Sequence, residues 1–221
     1  LRIIMRTLLI CHEDADLVKK GIAGWLASFS HLAGIIILRE TKGQVLGRIR
    51  RQIRRTGILR FFDVVLFRIY YLIFLSKKDR IWKNQKSAEL ESLYPLSDGN
   101  IPVLYTSSPN TQEAKQFIQR LSPDIMLAAC KSLLKEEIFS LPSRGTFVMH
   151  PGICPEYRNS HGCFWALVNR DMDKVGMTLL RIDKGVDTGS VYGYYHYPFD
   201  ELKESHIVIQ SRVVLENLDR L

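Results

Sequence analysis

The sequence lacks the cysteine patterns of disulfide-stabilised and zinc-binding domains. Its four cysteines, Cys11, Cys130, Cys154 and Cys163, include no CxxC pair, and such pairs are typical of zinc ribbons and redox sites. No stretch combines a short charged start, an apolar run and a small-residue cleavage site, so no secretory signal peptide is indicated. We therefore expect reduced thiols, no metal site and a cytoplasmic protein.

Internal repeats, low-complexity linkers and a Gly-rich phosphate loop are also missing. The loop after the first apolar run reads "CHEDAD", and it has neither the glycines nor the basic side chain that cradle a phosphate group. This composition argues against a small phosphorylated amine bound at that loop. With 221 residues, of which 46% are hydrophobic, the chain can bury one good core. We expect a single domain over residues 1–221.

Positive charge is concentrated in one segment. Between Arg39 and Lys83, thirteen Lys or Arg residues stand against three acidic residues, a balance of +10, whereas the whole chain carries +8. The rest of the chain is therefore slightly acidic. Such asymmetry indicates either an anionic partner or a solvated basic face with no partner.

The basic segment has a helical pattern. It contains "GRIRRQIRRTG" and then an apolar stretch of 18 residues that includes Arg60, Asp63 and Arg68, too many charges for a transmembrane span. We interpret residues 43–83 as a basic amphipathic helical insertion, either a hairpin packed within the domain or an in-plane element on a membrane surface. Residues 45–83 are thus a candidate for peripheral contact with the inner face of a membrane. The oligomeric state stays open.

Elsewhere the sequence alternates between strand and helix patterns. Apolar runs at 2–11 and 32–38 flank a helical stretch with Asp14 or Asp16 as its N-cap, and strand–helix–strand at these lengths indicates a βαβ unit. Further strands are predicted at 100–108, 124–130, 145–149, 175–183 and 189–199, and helices at 112–121, 133–140, 161–171 and 202–221. We predict an α/β fold with a Rossmann-like, mostly parallel sheet flanked by helices.

Two polar residues follow strands in the second half of the chain. His150 leaves the strand "GTFVM" and Asp187 follows the strand "VGMTLLRID", and ligands of open α/β sheets gather beyond the carboxyl ends of strands. An imidazole beside a carboxylate can exchange protons near neutral pH and, when protonated, can stabilise an oxyanion. Taken singly, His150 also fits a structural role, and Asp187 fits an Asx turn before Gly189.

The blocks that contain these two residues resemble the folate-dependent formyltransferase family. The segment "HPGICPEYRNSHG" is similar to the family's His-Pro-Ser-Leu-Leu-Pro-x-Tyr-Arg-Gly pattern. The segment "GMTLLRIDKGVDTGSVY" is similar to Gly-Val-Thr-x-x-x-hydrophobic-Asp-x-Gly-hydrophobic-Asp-Thr-Gly. With a weaker similarity in "SPDIMLAACKSLLKEEIF", the resemblance covers residues 120–200. It extends to glycinamide ribonucleotide, methionyl-tRNA and sugar N-formyltransferases and to formyltetrahydrofolate hydrolases, and it implies the formyltransferase fold.

The resemblance implies transfer of a formyl group from 10-formyltetrahydrofolate to a primary amine. His150 would polarise the formyl oxygen and stabilise the tetrahedral oxyanion, and Asp187 would orient the imidazole and help move the proton to the departing folate nitrogen. Val148 stands where the family has an Asn, and a valine side chain donates no hydrogen bond. Three interpretations follow. The protein is a weakened enzyme, or it is an enzyme in which Asn159 or His161 supplies the missing donor, or its fold serves binding.

The resemblance also implies which residues meet the two substrates. The formyl donor would lie against two segments, with contacts from Leu133, Leu134, Ile182, Asp183, Lys184 and Gly185. The acceptor would meet the loop after the catalytic histidine, with contacts from Tyr157, Arg158, Asn159 and His161. The guanidinium of Arg158 could hold a carboxylate or a phosphate.

The acceptor that this comparison favours is a small-molecule amine, an amino sugar carried on a nucleotide or on a lipid. Methionyl-tRNA formyltransferases carry an additional C-terminal barrel that does not follow the closing helix here, so tRNA is not expected as the acceptor. The alternatives are a formyltetrahydrofolate hydrolase and a catalytically weakened protein of this fold that binds an anionic membrane or partner.

Overall fold

Seven strands form one mixed sheet in the computed structural model, which describes residues 4–96 and 100–221 apart from the side chains of Thr56 and Leu59. The strands are β1 Arg6–His12, β2 His31–Leu38, β3 Val103–Thr106, β4 Ile125–Ala129, β5 Gly145–His150, β6 Gly176–Arg181 and β7 Val191–His196. Their spatial order is β3-β2-β1-β4-β5-β6-β7. Strands β1 to β5 pair in parallel and the last two pairings are antiparallel. The predicted mostly parallel α/β sheet is confirmed.

Helices cover both faces of this sheet. They are α1 Ala23–Phe29, α2 Lys42–Tyr70, α3 Ser76–Leu93, α4 Gln112–Leu121, α5 Glu136–Phe139, α6 Gly162–Val168 and α7 His206–Leu215. Residues of β1 alternate between two buried clusters, because successive side chains of a strand point to opposite faces. Leu9 and Cys11 pack with residues of α1, α3, α6 and α7, whereas Leu8 and Ile10 pack with residues of α4 and α5.

The start of the chain departs from the prediction in two places. Strand β1 begins at Arg6, and Arg2 and Ile3, which open the predicted strand, lie outside the described residues. The helical stretch after β1 begins with a π-helical turn, Leu17–Ile22. The expected side-chain cap is wrong, because Asp16 has helical backbone angles and its carboxylate pairs with Lys19 at 2.8 Å instead.

Strand β6 runs antiparallel to β5, whereas we expected the two strands to be parallel. We expected the carboxyl ends of both motif strands at one edge of the sheet, but β6 is antiparallel to β5, so His150 lies opposite Thr178 and Phe147 opposite Arg181. The carboxyl end of β6 is therefore at the amino end of β5. A return loop, residues 182–190, must lead back toward His150 before β7 begins.

The basic segment is not one uniform helix. Helical structure runs from α2 through the π-helical turn Tyr71–Leu75 into α3, and it is interrupted at Gly57 (φ 80°, ψ 160°). Helical geometry places Val45, Leu46, Ile49 and Ile53 on one side of the first half. The half after Gly57 is mostly apolar, with Arg60, Asp63 and Arg68 along it. The amphipathic insertion stays a prediction.

The end of the predicted insertion belongs to the body of the fold. Helix α3 packs on the domain through Leu90, which is 2% exposed. The buried carboxylate of Asp79 accepts hydrogen bonds from the hydroxyl groups of Tyr71 (3.0 Å) and Ser205 (2.6 Å). In contrast, no described side chain from residue 42 to residue 75 is buried. The interpretation as an insertion stays a prediction, and its natural limits are 42–75.

Candidate functional site

His150 ends β5 with its imidazole largely buried. The residue is 7% exposed, and its Nε2 lies 2.9 Å from the carbonyl oxygen of Tyr157. A carbonyl oxygen only accepts hydrogen bonds, so Nε2 carries a hydrogen and donates it. The other ring nitrogen, Nδ1, is left to face the return loop.

Asp187 is the residue that the return loop brings to His150. Its Oδ2 lies 3.6 Å from Nδ1 of His150, a distance suited to an ion pair and too long for a hydrogen bond. The same oxygen accepts the backbone N–H of Asn159 at 2.8 Å. The structure thus brings together the two residues predicted to be catalytic, and it adds the main chain of a third.

The return loop is shaped by short polar contacts and one glycine. The Oδ1 of Asp183 accepts the N–H of Gly185 at 2.9 Å and the hydroxyl of Thr188 at 2.7 Å. A Cβ at Gly189 would lie 1.7 Å from the carbonyl oxygen of Arg181, so only glycine allows the loop to close there. These contacts hold Asp187 in its left-handed conformation, φ 52°, which few non-glycine residues adopt.

The contacts of His150 fix the orientation of its ring. Nε2 donates to the carbonyl of Tyr157, and Nδ1 faces the carboxylate of Asp187. Both side chains are largely buried, and electrostatic interactions are stronger in such a place than in water.

Two glycines make room for the Tyr157 carbonyl. A Cβ at Gly152 would lie 2.6 Å from that oxygen and 2.9 Å from the Cα of Gly162, and a Cβ at Gly162 would meet the same oxygen at 2.6 Å. The backbones of Gly152 and Gly162, at the two ends of the loop, are therefore in close contact. Gly162 was missed in the sequence analysis, although the closing "HG" of the motif was a visible signal.

Val148 lies on the same face of β5 as His150, because residues two apart on a strand share a face. It is half-buried and pairs in register with Leu180. The family Asn is therefore replaced, at the expected place, by a side chain that donates no hydrogen bond. Whether another group supplies the donor stays a prediction.

Asn159 and His161, the predicted substitute donors, both have left-handed backbone angles, φ 69° and 67°. This explains why an Asn stands where the family pattern has Gly, since Asn tolerates that region better than most residues. Desolvation and the charge of Lys131 lower the pKa of His161. Its ring is therefore neutral near pH 7, with one N–H that it can donate.

The other two acceptor candidates point elsewhere or stay exposed. The hydroxyl of Tyr157 donates to Asp171 at 3.1 Å and accepts from Asn169 at 3.3 Å. Its side chain therefore stabilises the loop, and its carbonyl is the part that reaches His150. Arg158 is exposed beside the site, and its binding role stays a prediction.

The two segments predicted to hold the formyl donor lie next to each other. Lys184 of the return loop pairs with Glu136 of α5 at 3.1 Å. Within these segments Leu133 is 68% exposed and Val186 is 37% exposed, while Leu134 and Ile182 are half-buried. Ligand sites commonly combine apolar side chains with a few polar groups, and binding of the donor to these residues stays a prediction.

Asn110, which the sequence analysis missed, supports the first of these segments. Its side chain donates to the carbonyl of Leu133 and accepts the N–H of Lys135, both at 2.8 Å. From the other side, Nε2 of His12 accepts the N–H of Lys131 at 3.1 Å. His12 ends β1 and Asn110 follows β3, so both partners are distant in sequence and no local pattern could have revealed them.

The cysteines take no part in this chemistry. All four are free, and burial raises the pKa of Cys11 and of Cys163 to about 12. Such thiols are not nucleophiles at neutral pH. Within residues 4–96 and 100–221, no three His, Cys, Asp or Glu side chains are grouped so that they could hold a metal ion.

A protein-family model described as "Formyl transferase" matches residues 74–215. The chain belongs to this family. Its enzymes are formyltransferases whose donor is 10-formyltetrahydrofolate, and residues 42–73 lie outside the matched range.

Two curated relatives show the range of this family. A methionyl-tRNA formyltransferase of Thermotoga neapolitana is 30% identical over 128 residues, which are 55% of this chain and 41% of that protein. The bifunctional polymyxin resistance protein ArnA of Wigglesworthia glossinidia brevipalpis is 31% identical over 102 residues, 46% of this chain and 15% of that protein. The chain thus spans at most about two fifths of the length of these relatives.

Solved structures of formyltransferases share the fold. A phosphoribosylglycinamide formyltransferase from Anaplasma phagocytophilum superposes with a TM-score of 0.60 at 11% identity, covering 98% of this chain and 82% of that one. A sugar N-formyltransferase from a Shewanella species superposes with a TM-score of 0.52 at 15% identity, covering 97% of this chain and 65% of that one. The predicted formyltransferase fold is confirmed.

Proposed function

We propose that this protein transfers a formyl group from 10-formyltetrahydrofolate to the primary amine of an amino sugar. The observation that carries the proposal is the pair of His150 and Asp187, 3.6 Å apart and largely buried at the end of β5. Acyl transfer needs a positive group near the developing oxyanion and a route for one proton, and this pair can supply both.

Each residue then has a definite task. The Tyr157 carbonyl holds Nε2 of His150, so we assign to Nδ1, once it carries a proton, the stabilisation of the negative charge that develops on the formyl oxygen. Asp187 orients the ring. A bond forms between the amine nitrogen and the formyl carbon, and the bond from that carbon to the folate nitrogen breaks. The amine loses one proton and the folate nitrogen gains one, with His150 and Asp187 as the relay.

The lining of the neighbouring surface fits the folate donor. Leu133, Leu134 and Ile182 would hold its apolar ring system, while Asp183, Lys184 and Gly185 would meet its polar groups. When bound, the donor supplies an activated formyl group. The residues of the chain bind and orient it, and Asn110 keeps the Leu133 segment in place.

An amino sugar is the acceptor that the chemistry of the first loop supports best. That loop contains Glu13, Asp14 and Asp16 and no phosphate cradle, and carboxylates are good partners for sugar hydroxyl groups. Similarity to a structure named as a sugar N-formyltransferase is in keeping with this choice. Because several relatives are methionyl-tRNA formyltransferases, tRNA stays in the test as a competing acceptor.

The experiment is a formylation assay with mass-spectrometric detection. The full chain is incubated with 10-formyltetrahydrofolate and a panel that contains amino sugars, simple amines and methionyl-tRNA. We expect one amino sugar to gain the mass of a formyl group, with no gain for a His150→Ala variant. Release of formate without an amine product would establish the hydrolase instead, and transfer only to methionyl-tRNA would overturn the sugar assignment.

We further propose peripheral contact between residues 42–75 and the inner face of a membrane. The described residues contain no helix that is both long enough and apolar enough to span a bilayer. Replacing Arg50, Arg51, Arg54 and Arg55 by Gln should abolish the salt-sensitive part of binding to anionic vesicles. If vesicles bind but folate does not, the protein is a binding protein of this fold, the second candidate function.

A further inference from the structure

The half of the helical segment after Gly57 carries an unusual amount of exposed apolar surface. We call residues 58–75 the apolar segment. The apolar side chains there that are more than a third exposed are Ile58, Phe62, Val64, Leu66, Phe67, Ile69, Tyr70, Leu72, Ile73 and Phe74, and the charged Arg60, Asp63 and Arg68 are exposed among them. Exposed apolar surface of this extent marks a place where another molecule or a membrane binds.

The charges around the apolar segment select the kind of molecule that covers it. Residues 39–83 carry a balance of +10, and Arg50, Arg51, Arg54 and Arg55 are exposed just before the segment begins. A second copy of the chain would bring the same positive charge to the contact. An anionic bilayer offers the complementary charge, which attracts basic residues near its surface.

Aromatic side chains connect the apolar segment to the body of the domain. The ring of Phe67 lies 6.2 Å from the ring of Phe164 and 5.7 Å from that of His206, measured between centroids. Phe164 in turn lies 5.2 Å from Trp165, which is 52% exposed. The apolar surface therefore continues from the helical segment onto α6.

Helix α6 begins directly at the acceptor loop. His161 is the residue before its first turn, and the carbonyl of His161 accepts the N–H of Trp165 at 3.0 Å. His161 and Arg158 are both exposed in that loop. The apolar surface at Phe164 and Trp165 and the loop predicted to meet the acceptor are thus joined by the first turn of one short helix.

We propose that the acceptor amine is carried on a lipid and reaches His150 from the surface of an anionic membrane on which residues 42–75 lie. This inference rests on the proposed function and chooses between the two carriers left open, a nucleotide and a lipid. The apolar segment and Trp165 enter the interfacial layer, as aromatic residues commonly do. Arg158 and His161 then lie where a phosphate that joins the sugar to its lipid would pass.

Docking on the bilayer would raise the rate of formyl transfer, because it raises the effective concentration of the acceptor near the enzyme. An enzyme and an acceptor held on the same surface meet at a much higher effective concentration than in solution. A water-soluble acceptor with the same sugar would have no such advantage. The difference between the two acceptors is therefore the quantity to measure.

The test uses two acceptors that share one aminohexose. In the prenyl acceptor, a phosphodiester joins the sugar to a long prenyl chain, and the compound is held in vesicles of phosphatidylglycerol and phosphatidylcholine. In the methyl acceptor, the phosphodiester joins the same sugar to a methyl group. We expect kcat/KM for the prenyl acceptor to be at least about tenfold higher. The double variant Ile73→Glu and Phe74→Glu should lose this preference and keep its rate with the methyl acceptor, which shows that it is folded.

Matched controls separate the possible failures. Leu93→Glu changes an equally exposed apolar residue on α3 and should keep the preference. Equal rates with both acceptors, or a preference for the same aminohexose on a nucleoside diphosphate, would overturn the lipid carrier and leave the proposed function intact. No transfer to any of the three would overturn the proposed function, and the inference with it.

Discussion

In the loop from His150 to Gly162 the imidazole of His150 is buried and held in place, whereas residues 42–75 contain no buried described side chain and expose many apolar groups. In the loop, His150 is 7% exposed and each ring nitrogen faces a defined oxygen. In the helical segment, Ile73 and Phe74 are each 66% exposed. A small displacement is enough to break a buried polar contact. The binding strength of an exposed apolar surface depends instead on its total area and charge. Single substitutions should therefore have large effects in the loop and small effects in the helix.

The largest effect is expected for the catalytic pair. His150→Ala and Asp187→Asn should each lower kcat by about 10²–10⁴-fold, the usual contribution of a positioned acid or base. Steady-state formylation kinetics measures this. His31→Gln, at an exposed position at the start of β2, is the control. A loss of less than tenfold in both variants would show that the pair is not the centre of the chemistry.

A gain is expected at the position of the family Asn. Loss of one oxyanion donor costs about 10²–10³-fold in kcat, so Val148→Asn should raise kcat by about tenfold or more. Val148→Leu, which adds no donor on the same face, should bring no gain. An unchanged rate in the Asn variant would indicate that Asn159, His161 or another group already supplies the donor.

A smaller loss is expected from one methyl group in the loop. In Gly162→Ala the new Cβ would lie 2.6 Å from the Tyr157 carbonyl and 2.7 Å from the Cα of Gly152, and backbone atoms cannot rotate away. The carbonyl must then leave His150, and we expect kcat to fall by about tenfold, within the range attributed to misplaced catalytic groups. Gly47→Ala, which meets nothing within 4 Å, should keep the wild-type rate.

The smallest effect is expected where the helical segment meets the body of the fold. Burial lowers the pKa of His206 below its ordinary value of 6.5; nearby His161 lowers it further and Asp79 opposes the shift. The unfolded chain then binds a proton more readily, so this stabilising contribution is present above about pH 6.5 and is lost as the pH falls through that value. The midpoint temperature of thermal unfolding should fall by a few degrees as the pH is lowered from about 6.5, and the fall should be smaller in His206→Gln.

A control keeps this pH dependence specific. The pKa values of His12 and His161 are also lowered, mainly by desolvation, so some decline must remain in the His206→Gln variant. The exposed His31, changed to Gln, should leave the whole decline unchanged. An identical pH profile for the His206 variant and the wild type would contradict the contribution of His206.

The sequence predicted the sheet and the proximity of His150 and Asp187 because both depend on local patterns; the catalytic role of the two residues stays a prediction. Apolar runs marked the strands, and helix α4 was predicted at its observed bounds. His150 and Asp187 lie in motifs whose residues occur at fixed spacing. The direction of β6 could not be predicted in this way, since strand pairing depends on contacts between distant parts of the chain.

What the sequence did not reveal depends on long-range packing. Asn110 supports Leu133 across 23 residues, and Gly162 matters because it passes Gly152. The point where the helical segment joins the body of the fold was not visible either, because it depends on the burial of Asp79. Composition alone could not separate the basic residues that pack from those that stay exposed.

The central claim is that the Leu133 segment and the return loop form one donor site beside His150. Titration calorimetry with tetrahydrofolate on the full chain tests it most directly. The account predicts saturable binding of one molecule per chain, weakened at least about tenfold by Leu133→Asp and unaffected by Leu93→Asp. Absence of measurable binding, or equal binding in both variants, would contradict it.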